Sequence, residues 1–368
     1  MMKFTLKKSE IIKPMNIVRN IINTKSMKPI LQNMMIQLDS GSLTMEGSDL
    51  EVGIRYCVGG VETETPGKTT VPAEKFVKII SESPEETIVV MVEEEKAYIA
   101  SGSAKFEMSV IPADDYPEFP HSEEPATLTV PFEKLKEMIS RTIIGTAMDG
   151  ARYVFRGILF EYEEGVLNLV ATDSHILAKA SVKPAAVSVE EGTRVVVPRK
   201  VLDEIQKIDY EGDVVISFDK QHIRFDIDQI VLVSRLIDAK YPKYDKVIPT
   251  VNNKKAFVPR LGLLDSLRRV SVFVNRESGR ASLQFGQNKL KISARLADIG
   301  LAEDIIAVQY DDAEIRIDFN YKYIKDVLST LEDKNIVMTM YNNESAVLLT
   351  PENNADYLWV IMPLVMLD

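Results

Sequence analysis

Ser234-Arg235-Leu236-Ile237-Asp238-Ala239-Lys240-Tyr241-Pro242 echoes Ser109-Val110-Ile111-Pro112-Ala113-Asp114-Asp115-Tyr116-Pro117, 125 residues upstream. Outward from this pair, Val-Pro precedes an apolar-periodic run four times, at Val71-Pro72, Val130-Pro131, Val197-Pro198 and Val258-Pro259. The first and third are 126 residues apart, the second and fourth 128. Ser48-Asp49 and Thr172-Asp173 stand 124 apart, each after a strand pattern, and Phe319-Asn320-Tyr321-Lys322 takes the place of Val197-Pro198-Arg199-Lys200. A missed repeat misassigns a whole fold, so such spacings are weighed first. Together they indicate three diverged copies, at 1–126, 127–253 and 254–368.

Each copy carries the same pattern. A first helix is expected on Ile11, Met15, Val18 and Ile22; on Leu135, Met138, Ile139 and Thr142; and on Leu261, Leu264, Leu267 and Ser271. A second is expected on Phe76, Ile79 and Ile80; on Leu202, Ile205 and Ile208; and on Ile324, Val327, Leu328 and Leu331. The Val-Pro prolines suit first helical positions, where a missing N–H costs nothing. Strand runs such as Thr87 to Val92, Asp213 to Phe218 and Asn335 to Met340 alternate with turn signals such as Asp39-Ser40-Gly41-Ser42 and Glu163-Glu164-Gly165. Two helices of about three turns and several strands make an α+β module. The turns are too short for parallel crossovers, so the helices should lie on one face of an antiparallel sheet.

Composition narrows the class. The chain has 368 residues, 45% hydrophobic and 27% charged, with a net charge of −11. A global basic footprint for nucleic acid is absent; a local one is not excluded. The single cysteine, Cys57, rules out an intramolecular disulfide and a multi-cysteine metal site, and reads as a small half-buried strand residue. No apolar run reaches 18 residues, and the N-terminus interrupts its apolar residues with charge, so a soluble, cytoplasmic protein without a membrane segment is expected.

Acidic residues gather on strands and loops, as at Glu93-Glu94-Glu95 and Glu161 to Glu164, whereas the helix segments carry Lys8, Arg19, Lys75, Arg141, Arg199, Lys200, Arg268, Arg269, Lys322 and Lys325. One reading is the ordinary solvated face of amphipathic helices. The other is six equivalent helices turning one basic surface toward a polyanion, bound through phosphates without sequence reading. Composition leaves both open.

No catalytic constellation emerges. The three histidines, His121, His175 and His222, form no zinc-protease motif. Ser174 and His175 are neighbours beside Asp173, and adjacent strand residues point to opposite faces, which opposes a nucleophile–base pair. Gly67-Lys68-Thr69 resembles the end of a phosphate loop but has Glu62 where the earlier glycine belongs. Asp114-Asp115 and Asp311-Asp312 read as exposed turn residues, and no metal or cofactor is expected.

Three copies with paired helices, together with Ala171-Thr172-Asp173-Ser174-His175-Ile176-Leu177, Tyr241-Pro242-Lys243-Tyr244 and Val360-Ile361-Met362-Pro363-Leu364, resemble the bacterial DNA polymerase III β subunits, the replicative sliding clamps. The resemblance covers essentially the whole chain. It implies a ring-forming homodimer of six clamp modules around double-stranded DNA, opened by a separate clamp loader and tethering the replicative polymerase and other partners through short peptides. No bond chemistry is implied.

Carried over by position, the peptide pocket would be walled by Phe155, Thr172, His175, Leu177, Pro242, Val247, Asn320, Tyr323, Ala346, Val360, Met362, Pro363 and Leu364. The resemblance also implies a dimer seam at Phe106 and Met108 in the first copy and Val272 and Phe273 in the third. DNA-facing candidates are Lys8, Arg19, Lys25, Lys75, Arg141, Arg152, Tyr153, Arg199, Lys200, Arg268, Arg269, Lys322 and Lys325.

The chain departs from the family where Ser174 and Ile176 replace a usual Gly and Arg, and where Leu364-Val365-Met366-Leu367-Asp368 lacks a usual arginine. A greasier pocket is expected. The competing classes are a hydrolase using Asp173, Ser174 and His175, which lacks convergent acid, base and oxyanion groups, and a sequence-specific DNA-binding protein, which lacks a recognition motif.

Overall fold

Among the described residues, a strand runs directly into a helix six times. Strand Met2–Lys7 leads into α1 (Lys8–Ile21), Gly67–Pro72 into α2 (Ala73–Glu82), and Ala126–Pro131 into α3 (Phe132–Thr142). Thr193–Pro198 leads into α4 (Arg199–Ile205), Lys254–Pro259 into α5 (Arg260–Val270), and Ile315–Asn320 into α6 (Tyr321–Ser329). The computed structural model describes residues 1–119, 126–148, 152–251 and 253–365. His121, Glu123, Glu124 and Met366 to Asp368 lie outside the described residues.

The helices form where apolar residues recur every three or four positions, with two local corrections. Pro72 and Pro259 are N-caps, one position earlier than expected, because each is also the last paired residue of its strand, opposite Asn33 and Asn335. In α5 the buried stripe is Leu263, Leu264, Leu267 and Val270, while Leu261 is exposed because it shares a face with Asp265 and Arg268. α4 is only two turns long, yet Ile208 is still buried beyond its end.

By their internal packing the residues gather into two compact units. One comprises 1–133, 185–189 and 200–236; the other comprises 134–184, 190–199 and 237–368. The first unit holds a nine-stranded and a five-stranded sheet, the second an eight-stranded and a four-stranded sheet. In the nine-stranded sheet, Ile230–Arg235 pairs antiparallel with Val52–Gly59, setting Leu232 opposite Ile54. In the eight-stranded sheet, Ile176–Val182 pairs antiparallel with Tyr357–Ile361, setting Leu177 opposite Val360. The strands of the central copy are thus shared out, some extending a sheet of the first copy and some a sheet of the third. Every copy therefore contributes strands to two antiparallel sheets.

In the first two copies a glycine lets helical segment and sheet approach closely. In the first copy it is Gly47 on the strand, where a Cβ would stand 2.9 Å from the Val18 carbonyl oxygen and from Ile22 Cγ1. In the second it is Gly145 just beyond α3, where a Cβ would stand 2.9 Å from the Ala171 carbonyl oxygen. Residues 67–72 are a paired strand, which disposes of the phosphate-loop reading of Gly67-Lys68-Thr69. Cys57 is exposed rather than half-buried, on a stretch of its strand where Arg55 and Tyr56 are also partly open to solvent. Among the described residues no helix is long and apolar enough to cross a membrane.

Candidate functional site

The site is built on a four-residue turn. Asp173 Oδ1 accepts the N–H groups of His175 at 2.8 Å and Ile176 at 2.9 Å, and Thr172 Oγ1 donates to the Ile176 carbonyl at 2.7 Å. Such side-chain capping is what a short aspartate offers a turn. It holds Ser174 at φ +83°, a left-handed conformation unusual for a residue with a Cβ. The first copy repeats the device 124 residues earlier. Asp49 Oδ1 accepts from Glu51 N–H at 3.0 Å and Val52 N–H at 2.8 Å, and Leu50 has φ +77°.

The 173–176 turn borders a cavity of about 850 Å³, lined by Phe155, Asp173, Ser174, His175, Pro242, Asn320 and Tyr323 together with Ile144, Thr146, Ala147, Met148, Arg152, Lys322 and Asp326. The rings of His175 and Tyr323 stack with centroids 6.4 Å apart and planes 24° from parallel. Tyr323 donates its hydroxyl to Asp173 Oδ2 at 2.8 Å; burial, then that carboxylate, pushes the phenol pKa up. An apolar cluster lies alongside, made of Phe155, Leu177, Tyr241, Tyr244 and Val360 with Ile248, Ala346 and Leu348 packed on it. Phe155 meets Tyr241 edge-on at 6.0 Å, and Tyr244 hydrogen-bonds Glu161. The C-terminal segment closes the arrangement: Met362 N–H donates to the His175 carbonyl at 2.8 Å and Leu364 N–H to the Asp318 carbonyl at 2.7 Å.

Of the expected pocket residues, Phe155, His175, Pro242, Asn320 and Tyr323 line the cavity, Leu177, Ala346 and Val360 belong to the apolar cluster, and Thr172 sits in the turn. Val247 and Met362 are exposed apolar side chains, Pro363 is buried and Leu364 partly buried. Ile176 corrects an expectation. It is 2% exposed and paired with Ile361, so it presents no greasy rim. The exposed apolar surface comes instead from Met148, Val247, Met362 and Val365. Sequence reading missed Asp173, Ser174, Met148 and Asp326 as cavity residues, although the 124-residue spacing of Asp49 and Asp173 was a usable signal.

The DNA-facing candidates divide. Arg141 is contradicted: it is 8% exposed, ion-paired to Glu137 at 2.5 Å, and lies 3.8 Å over the Tyr357 ring. Its place one helical turn after Glu137 explains this, a face that charge counting had not assigned. Arg199 is turned inward, with Nη1 donating to Thr146 at 2.7 Å and the Ile143 carbonyl at 3.2 Å. Lys8 donates to the Ser83 carbonyl at 2.8 Å. Lys200 pairs with Asp49, Arg268 with Asp265, Arg269 with Asp304 and Lys325 with Asp326. Arg152 and Lys322 line the cavity. Lys25 and Lys75 are exposed, Arg19 partly so, and Tyr153 is 62% exposed.

The seam candidates lie at or beside sheet edges. Phe106 and Met108 are half-buried on Ala104–Ser109, the last strand of the five-stranded sheet. Val272 is 72% exposed and Phe273 partly buried against Gly300, which begins Gly300–Ala307, the last strand of the four-stranded sheet. Ile299, Leu301 and Ile305 are exposed on or beside that edge and escaped the sequence reading. Among the described residues neither edge strand has a neighbour on its outer side.

Comparison with known proteins covers nearly the whole chain. Residues 2–120 match the family described as DNA polymerase III beta subunit, N-terminal domain; residues 129–243 match its central domain and residues 245–365 its C-terminal domain. The beta sliding clamp of Pseudomonas putida is 32% identical over 368 residues, covering 99% of this chain and 100% of its own length. That of Escherichia coli is 32% identical over 366 residues, with the same coverage. The crystal structure of the DNA polymerase III subunit beta sliding clamp of Pseudomonas aeruginosa, bound to griselimycin, matches with a TM-score of 0.94 at 29% identity, covering 99% of this chain and 100% of its own. With three consecutive domain matches and relatives alike from end to end, the chain belongs to the DNA polymerase III β-subunit family, the sliding clamps, which are non-catalytic processivity factors of DNA replication.

Proposed function

We propose that two copies of the chain join head to tail into a closed ring around duplex DNA, acting in the cytoplasm, with domains at 1–126, 127–253 and 254–368. The observation that carries this reading is the pair of unjoined apolar edges. Ala104–Ser109 offers Phe106 and Met108, and Gly300–Ala307 offers Leu301 and Ile305 beside Val272 and Phe273. An exposed apolar edge strand is a liability unless another strand covers it, and a homodimer seam needs an apolar core ringed by charge. A clamp loader would part this seam to admit DNA.

The ring would hold the polymerase and other partners through an extended peptide seated on the apolar cluster and in the cavity beside His175 and Tyr323. Apolar anchors with a few placed polar groups are the usual chemistry of such a slot. DNA would pass loosely, through exposed cations such as Lys25 and Lys75, which have no ion pair among the described residues, so that single charge removals matter little and combined removals lower the salt dependence.

The test is loading onto circular DNA followed by linearisation. The expected result is retention on the circle and release from free ends. Equal retention on both forms overturns the ring.

A further inference from the structure

We propose that the outer face of the four-stranded sheet is a second, electrostatic subsite that takes an acidic segment flanking the anchored peptide. The proposal rests on the peptide reading of the cavity and names a feature that its partners should carry.

The face forms a concave groove of about 490 Å³. Its floor is small and polar: Ser282 and Ser293 are directly opposed on neighbouring strands. Its walls carry four cations, Arg280, Lys291, Arg295 and Arg316, against two acids, Glu303 and Asp318. The excess is positive, opposite in sign to the net charge of −11 on the chain as a whole.

The acids do not saturate the cations. Asp318 is shared between Arg280 at 3.7 Å and Arg316 at 3.5 Å, and Glu303 pairs with Lys291 at 2.6 Å. Arg295 is exposed and has no ion pair among the described residues. A carboxylate-bearing segment laid over the serine floor would meet Arg295 on one wall and Arg316 on the other. Arginine suits this task, because its planar fork matches a carboxylate.

The groove continues from the cavity. Asn320 lines the cavity and is the cross-strand partner of Arg280, which lines the groove. Residues opposed in an antiparallel pair lie about 5 Å apart, so a chain leaving the cavity past Asn320 arrives at Arg280. From Ile315–Asn320 to Lys289–Leu296, which carries Arg295, is two strand spacings, about 10 Å, or roughly three extended residues, which stops short of the seam strand Gly300–Ala307. Charge complementarity and this continuity select an acidic peptide flank as the occupant.

The experiment is fluorescence anisotropy with the full chain and two labelled peptides, an apolar anchor alone and the same anchor with four glutamates added at either end. The glutamates should tighten binding about five- to tenfold at low salt, falling below about twofold in 0.5 M salt. Arg295→Glu with Arg316→Glu should abolish the gain and leave the anchor peptide unaffected. Equal binding of the two peptides, or a gain that survives both substitutions, overturns the subsite while leaving the cavity reading intact. Failure of the anchor peptide itself overturns both. Loss of duplex-oligonucleotide affinity in the double variant, without a change in the glutamate gain, overturns the proposal in favour of nucleic acid.

Discussion

Tyr323 and Asp173 meet at 2.8 Å across 150 residues of sequence, the phenol donating to Oδ2 of a carboxylate whose other oxygen caps the turn through His175 and Ile176. One side chain thereby ties a turn of the central copy to a helix of the third at the mouth of the cavity. Tyr323→Phe removes this tie but leaves Asp173 its two backbone donors. The expected cost is about 1 kcal/mol in urea unfolding, with a peptide affinity a few-fold weaker as the ring beside His175 loosens. Unchanged affinity would show that the stack is not part of the binding surface.

Alkali should unfold the protein through its buried phenols. Burial first, and then nearby carboxylates at Tyr116, Tyr244, Tyr323 and Tyr357, push the pKa upward, as burial does at Tyr241. The folded state holds these protons more tightly than the unfolded chain, where tyrosine titrates near 10. Their stabilisation is therefore complete below about pH 10 and is lost as pH rises beyond it. Spectroscopic titration should find these tyrosines ionising only with unfolding; a smooth transition of all 13 near pH 10 contradicts the burial.

Ser174→Gly should stabilise the chain by about 0.5–1 kcal/mol, because a Cβ at φ +83° is disfavoured and glycine is not. Leu50→Gly at the equivalent turn is the internal comparison. A lowered denaturation midpoint in both would remove the strain argument.

Glu137 links Lys134, Arg141 and Tyr357. Burial alone would raise its carboxyl pKa, but the hydrogen bond with Tyr357 and the charges of Arg141 and Lys134 hold it below the usual range. A depressed value stabilises above the unfolded pKa of about 4.3 and is lost as pH falls through the folded one. Glu137→Gln should cost about 2 kcal/mol at neutral pH, discounted because the carboxylate is one-third exposed, and should flatten the acid limb of the stability profile.

Val272→Asp places a charge on a side chain 72% exposed in the single chain, so the fold should tolerate it. Sedimentation equilibrium should then give the 41.4 kDa chain in place of a dimer of twice that mass. An intact dimer would move the seam elsewhere.

The repeat was legible because its turns need particular residues. Asp49 and Asp173 cap the same turn, and Tyr116 and Tyr241 donate to the carbonyls of Glu46 and Val170, again 124 apart. Helix faces were legible where apolar residues marked them, as at Phe76 and Ile80. Charged residues carry no such mark. Nothing in the sequence near Arg141 announces Tyr357, 216 positions away, whose ring and neighbouring Glu137 draw the guanidinium inward. The division of each copy between two sheets was hidden for the same reason, because local alternation defines a strand but not its distant neighbour.

The central copy has no sheet to itself. Excised as 127–253, it would bare the flanks of Ile176–Val182 and Ile230–Arg235, two raw ladders of amides, and should aggregate instead of folding. Within one chain the three copies are therefore not beads on a string. Two of the sheets are each woven from two copies, so a cut between copies is a cut through a hydrogen-bonded ladder, while among the described residues Ala104–Ser109 and Gly300–Ala307 are hems left unstitched.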